Sequence, residues 1–192
     1  MKHPVTKTII VLCSVGFIAQ CVAQWLGFPL TQSAALNVAY PEWWQYLSYM
    51  WLHGNLWHLV INVFVLYQFA KDIEERTGWL PLAVGYLWCG SIGLLGAMRW
   101  ITEGGYIVGS SVAVFALIAM YCVLNFKKRI RWLFIPRPIP VWLFLAILCV
   151  IEVMCYCFGY TNAVIHLYGM LYGCCYALGC ILGEKSYKKF GG

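Results

Sequence analysis

Charge is what this sequence has least of. Only 10% of its 192 residues are Asp, Glu, Lys or Arg, and just seven of them are acids. With 62% hydrophobic residues and a mean hydropathy of +0.75, the composition excludes a water-soluble domain, which would need far more polar surface. The chain reads instead as a single integral membrane domain over 1–192. A net charge of +6 by itself could suggest a nucleic-acid partner, but in so apolar a chain it is better explained by loop charges that orient membrane spans.

Other absences narrow the field further. The ten cysteines (13, 21, 89, 122, 149, 155, 157, 174, 175, 180) all fall within hydrophobic runs. Neither Cys155/Cys157 nor Cys174/Cys175 has a second liganding pair at zinc spacing, so they read as small packing residues, with no metal site and no disulfide framework. The first apolar run, Thr8 to Phe28, has no convincing small-x-small cleavage site, and bulky Gln20 before Cys21 argues against a lipoprotein. It is taken as a span. Between Pro29 and Asn55 there is no Lys or Arg, while Trp43, Trp44, Tyr46, Tyr49 and Trp51 crowd the segment, a composition expected at the headgroup level. No inverted repeat is visible and Glu152 is the only acid within an expected span, which counts against a transporter or channel.

What the sequence does have is six hydrophobic runs, predicting an all-α polytopic bundle. They are Thr8–Phe28, Leu56–Ala70, Leu80–Trp100, Ser111–Asn125, Ile139–Phe158 and Ala163–Leu182. An even number returns the C-terminus to the N-terminal side. Every Lys and Arg except Arg99 then lies on that side, which the positive-inside rule makes cytoplasmic. The fourth run is short. At about 1.5 Å rise per residue it reaches roughly 22 Å, against about 30 Å of hydrocarbon. Its N-terminus therefore stops below the outer surface, and the loop from Thr102 to Gly109 has to dip in to meet it. Irregular backbone at that depth is tolerated only where it is buried in protein or lines a watery cavity.

Few polar residues remain inside the spans. Ser111 opens the fourth run, His166 lies about a turn inside the sixth, and His58 and Asn62 share one face of the second, four residues apart. Singly, each has an ordinary role as a helix cap or as glue between helices. Together they supply a nucleophile, a base and donors for a developing oxyanion on the outer side of one bundle. His166, Gly169 and Gly173 follow at i, i+3 and i+7, so the histidine sits on a face stripped of side chains. The slim fourth helix, with Ala113, Ala116 and Ala119, is its expected partner.

These motifs resemble those of the rhomboid intramembrane serine proteases, in their compact six-span form, and the resemblance covers essentially a core at 8–183. They run in family order: Tyr49-Met50-Trp51-Leu52-His53-Gly54, His58-x-x-x-Asn62, Glu74-Glu75-Arg76-Thr77-Gly78, Gly109-Ser110-Ser111 and His166-x-x-Gly169-x-x-x-Gly173. The resemblance implies a Ser-His dyad without an acidic third member, with Ser111 as nucleophile and His166 as general base and acid. It also implies an oxyanion hole from His58, Asn62 and the Ser111 N–H, and Phe115 packed on the catalytic histidine. Substrates would be transmembrane segments with small residues at the cut, admitted near span five. Glu152 is expected to be hydrogen-bonded or turned to the outer cavity, at that gate. No cofactor and no metal is implied. The setting would be a bacterial cytoplasmic membrane, with both termini cytoplasmic and the site open to the outer face; a rhomboid-like pseudoprotease that binds membrane clients without cutting is the alternative.

Three positions depart from the family pattern. Val112 follows the serine where Gly is usual, Ile165 precedes the histidine where Ala or Gly is usual, and Trp44-Gln45 replaces a Trp-Arg pair. Two branched residues where spans four and six approach are expected to stretch the Ser111–His166 contact. Losing the arginine removes a structural cation rather than a catalytic group.

Overall fold

The computed structural model describes residues 2–101, 104–132 and 137–190. Six helices form the bundle: α1 (Pro4–Trp25), α4 (Leu56–Thr77), α5 (Trp79–Ala97), α6 (Ser111–Leu124), α7 (Val141–Cys157) and α8 (Asn162–Phe190). Two short helices, α2 (Leu30–Ala34) and α3 (Gln45–Ser48), lie in the aromatic segment, and 3₁₀ turns follow at Tyr49–Trp51 and Met98–Trp100. Helix α4 runs seven residues past the expected Ala70 end, continuing through the charged Lys71–Arg76 stretch until Gly78, at φ 88°, stops it. Helix α1 ends at Trp25, three residues before the expected Phe28, and Gly27 at φ 77° makes the turn.

By length and composition three helices among the described residues can cross a membrane: Pro4–Trp25, Trp79–Trp100 and Asn162–Tyr187. Two more, Ser111–Leu124 and Val141–Cys157, are shorter and apolar. Helix α4 is less apolar because it carries His58, Asn62 and Gln68 and ends in the charged Lys71–Arg76 stretch. Two small antiparallel pairs, which hydrophobic periodicity gave no sign of, join the loops: β1 (Leu36–Asn37) with β2 (Tyr106–Ile107), and β3 (Arg129–Ile130) with β4 (Ile139–Pro140). The expected fifth run therefore starts as strand, and its helix begins two residues later at Val141.

Helix α6 is the axis of the bundle. It is apolar all round, eleven of its fourteen residues are buried, and it packs on α8, α5 and α4. Its closest neighbour is α8. A methyl group added at Gly169 would run into the Val112 carbonyl oxygen, and one at Gly173 into that of Ala116, so the two backbones are nearly in contact. Helix α1 is tied to α4 at the opposite end from the site. There the Glu74 carboxylate accepts from the Val5 N–H, the Thr6 N–H and the Thr6 hydroxyl, at 2.9, 2.9 and 2.6 Å, satisfying donors left free at the start of α1.

The aromatic segment only partly matches its expected interfacial setting. Trp43 is exposed, but Tyr49 and Met50 are fully buried and Trp51 packs on Tyr86. The segment thus ends as a plug between α1 and α5, with the Tyr49 hydroxyl donating to the Gly90 carbonyl at 3.0 Å. Gln45, in the place of the family's arginine, is buried and holds the loop without a charge. Its Oε1 accepts from the Asn37 and Glu42 N–H groups, both at 3.1 Å, and its Nε2 donates to the Ser33 carbonyl at 3.3 Å. Of the expected dipping loop, Thr102 and Glu103 lie outside the described residues; the rest returns to the bundle through β2.

Because only some glycines of α8 face another backbone, they should respond differently to one methyl group. Gly173→Ala should lower the unfolding midpoint in detergent by the equivalent of about 1–3 kcal/mol, the usual range for overpacking a tight contact. Gly179→Ala and Gly183→Ala, where nothing lies within 4 Å, should leave it unchanged or slightly raised.

Candidate active site

Ser110 and Ser111 stand where the loop becomes α6. Gly109 makes the turn at φ 119°, a conformation that side chains disfavour, and its bare Cα lets the His58 imidazole lie against it. A Cβ there would collide with the ring. The Gly109 N–H donates to the Tyr49 carbonyl at 3.0 Å, so the buried plug holds the turn that presents the serine. Beside it, Ser110 Oγ lies 3.3 Å from Nε2 of buried His53, whose backbone N–H donates to Gln20 Oε1 at 2.7 Å.

Ser111 and His166 meet across the α6–α8 seam. Ser111 Oγ lies 3.1 Å from His166 Nε2, within hydrogen-bonding distance. The expected stretching is absent. Val112 is fully buried, and its Cγ1 sits between Gly93 of α5 and Gly169 of α8, 3.0 and 3.2 Å from where a Cβ on each would stand, so two glycines make room for the branched side chain. Ile165 is buried in the same region without parting the pair.

Phe115 stacks on the His166 ring, centroids 4.2 Å apart and planes 12° from parallel, one turn after Ser111. On the other side of the imidazole, Nδ1 lies 3.1 Å from Glu152 Oε2. The acid therefore faces the histidine rather than the open cavity, a contact that hydrophobic patterning along α7 does not reveal.

His58 and Asn62 come to the same place from α4. Asn62 Nδ2 donates to the His58 carbonyl at 2.9 Å, and His58 Nδ1 accepts from the Gly54 N–H at 3.4 Å. With Nδ1 accepting, the proton of a neutral His58 sits on Nε2, so that nitrogen is a donor. Both residues line a cavity of about 410 Å³ with Ser111, Phe115, Ile165 and His166. A larger cavity of about 600 Å³ lies among Lys71, Asp72, Arg129 and Trp132 at the other end of the bundle. It brings no nucleophile to a base, so the smaller one is the candidate site. Gly169 and Gly173 lie further along the seam, where they let the backbones close. Among the described residues no group of three His, Cys, Asp or Glu could hold a metal ion.

A bundle of apolar helices with a serine hydroxyl beside a histidine and polar donors in one cavity defines a polytopic membrane protein. The sequence matches the Rhomboid domain family over residues 40–182, and the chain belongs to that family. It is 28% identical over 158 residues to a Bacillus subtilis (strain 168) protein, YdcA, whose name carries a provisional rhomboid-protease assignment; this covers 81% of the chain and 75% of the relative. It is 36% identical over 81 residues to the chloroplastic rhomboid-like protein 11 of Arabidopsis thaliana, 42% of the chain and 29% of that protein. To the rhomboid protease GlpG of Yersinia pestis (strain Pestoides F) it is 26% identical over 140 residues, 70% of the chain. The chain spans less than half the length of the last two relatives.

The seating of Val112 makes a prediction opposite to the one its bulk suggests. Val112→Gly removes a buried side chain worth about 1.5–3 kcal/mol and puts a poor helix former in α6. It should lower the unfolding midpoint and, combined with Ile165→Ala, should not speed labelling of Ser111 by a fluorophosphonate.

Proposed function

We propose that this protein is an intramembrane serine endopeptidase that cleaves transmembrane segments of other membrane proteins, with residues 8–183 working as one domain. The observation that carries the reading is the 3.1 Å approach of Ser111 Oγ to His166 Nε2 in a cavity lined by polar donors. Ser111 Oγ attacks the scissile carbonyl carbon, the Oγ–C bond forms, and the hydroxyl proton passes to His166 Nε2. The carbonyl oxygen takes the negative charge. Its donors are the Ser111 N–H at the start of α6, His58 Nε2–H and the free N–H of the Asn62 amide. Collapse breaks the C–N bond, Nε2 gives its proton to the leaving amine, and an acyl-serine remains. Water then attacks with the same base, and the C–Oγ bond breaks to restore Ser111. The proton that Nε2 takes from this water passes to Oγ as the ester bond breaks, so water is the only co-reactant.

The substrate on this reading is a helix with small residues at the cut that unwinds easily, arriving from the bilayer beside α7. The names of the Yersinia and Bacillus relatives support the protease reading, and the exposed apolar side chains on α7, among them Ile147, Val150, Ile151, Val153 and Met154, support the route. The setting is a bacterial cytoplasmic membrane, both termini are cytoplasmic, and the site opens to the outer face. The bulk of Val112 and Ile165 would favour binding of clients without cleavage, but Ser111 and His166 lie at hydrogen-bonding distance despite it.

Ser111→Ala and His166→Ala should each reduce cleavage of a single-span reporter to background in reconstituted vesicles while the unfolding midpoint is retained. Undiminished cleavage by either variant overturns the proposal. His58→Ala or Asn62→Ala should lower kcat by roughly 10²–10³-fold, the usual loss for one oxyanion donor. For the topology, in a cysteine-free background a single cysteine at Gly159 should react with an impermeant maleimide from outside the cell, and one at Ser186 should not.

A further inference from the structure

Helix α7 is held loosely, and the one polar residue it buries is an acid. Only Val141, Phe144 and Glu152 of its seventeen residues are buried. A carboxylate in an apolar helix is costly to bury unless a partner compensates it. Here the partner is His166, 3.1 Å away, with the Glu152 side chain 12% and the His166 side chain 19% exposed. The other groups facing the His166 ring are Ser111 and Phe115 from α6 and His58 from α4, and none of them is an acid.

A neutral imidazole carries one N–H, and the nitrogen that carries it cannot accept a proton. An ionised carboxylate only accepts, so its contact with Nδ1 puts the imidazole proton there and leaves the lone pair of Nε2 facing Ser111 Oγ. When Nε2 takes the serine proton the ring becomes a cation. The same carboxylate then stands beside that charge in a medium of low dielectric.

We propose that Glu152 is a positioning residue of this site, the third member of a Ser111–His166–Glu152 array that fixes the base-competent tautomer and stabilises the imidazolium. This rests on the protease reading. No proton moves to Glu152 in any step. The reverse arrangement, a neutral Glu152 donating to Nδ1, would put the proton on Nε2 and block the base.

Glu152→Gln tests it, because the amide keeps the shape and can still hydrogen-bond but carries no charge and can donate. In the triad template, replacing the acid by its amide costs about 10⁴-fold through the wrong tautomer. For this chain kcat on a single-span reporter should fall by on the order of 10²-fold or more, with KM changed less than about threefold and the unfolding midpoint kept. Glu152→Asp should recover part of the loss. In micelles, ¹⁵N-histidine spectra, with His166 assigned by its absence from His166→Ala, should show an Nδ1–H tautomer that Glu152→Gln loses. Wild-type kcat in Glu152→Gln, or an Nε2–H tautomer in the wild type, overturns the proposal. The spectra need no turnover. If the wild type cleaves nothing, the protease reading fails on that result, while the placing of the proton by Glu152 is still decided by the spectra.

Discussion

The structure depends on how closely α6 and α8 approach. Gly169 meets the Val112 carbonyl and Gly173 meets that of Ala116, two contacts four residues apart on each helix, as ridge packing requires. Ser111 and His166 are the next step along the same seam, Ser111 one residue before Val112 and His166 one turn before Gly169. Their separation is thus set by backbones that cannot come closer. In lipid there is little hydrophobic drive between helices, so packing this tight is what holds them.

A second constraint fixes the start of α6. A serine at a helix N-terminus is useful only if the preceding turn is rigid, and here that turn is hung from the buried outer segment. Tyr49 contributes twice, its carbonyl accepting from the Gly109 N–H and its hydroxyl reaching the Gly90 carbonyl on α5. Strand β2 pairs with β1 just upstream, and Ser110 leans on His53. The segment between α1 and α4 therefore acts as a brace for the site, and Gln45 keeps it folded with amide hydrogen bonds where the family uses a guanidinium.

Much of this was legible in the residues. The short fourth helix could be measured from where its apolar run stops, and α6 ends within a residue of that estimate. The seam was legible in the spacing of His166, Gly169 and Gly173, whereas the pairing of Ser111 with His166 was what the family resemblance implied. The relations that were not legible each need the rotation of a third element about its axis. That Val112 is absorbed between Gly93 and Gly169 depends on how α5 is turned, and that Tyr49 is buried depends on a loop folding inward between α1 and α5. Glu152 is the sharpest case. One acid in an apolar run announces that it is unusual, but not whether it faces the bilayer, the cavity or a base, because α7 is too uniformly apolar for its pattern to define an inner face.

The same uniformity bears on how α7 is held. At its Val141 end it is anchored by the β3–β4 pair and by Phe144 stacked on Phe69, centroids 6.2 Å apart and planes 20° from parallel. Toward Cys157 the anchoring thins, and the residues around Glu152 turn apolar side chains outward. The Cys149–Met170 sulfur contact at 3.9 Å is weak, so the Glu152–His166 contact is the strongest polar tie between that half of α7 and α8 among the described residues. An opening beside α7 is therefore not independent of the site. Any displacement that separates the Glu152 end of α7 from α8 also withdraws the carboxylate from Nδ1, so the position of this helix and the proton arrangement of His166 are coupled through one hydrogen bond.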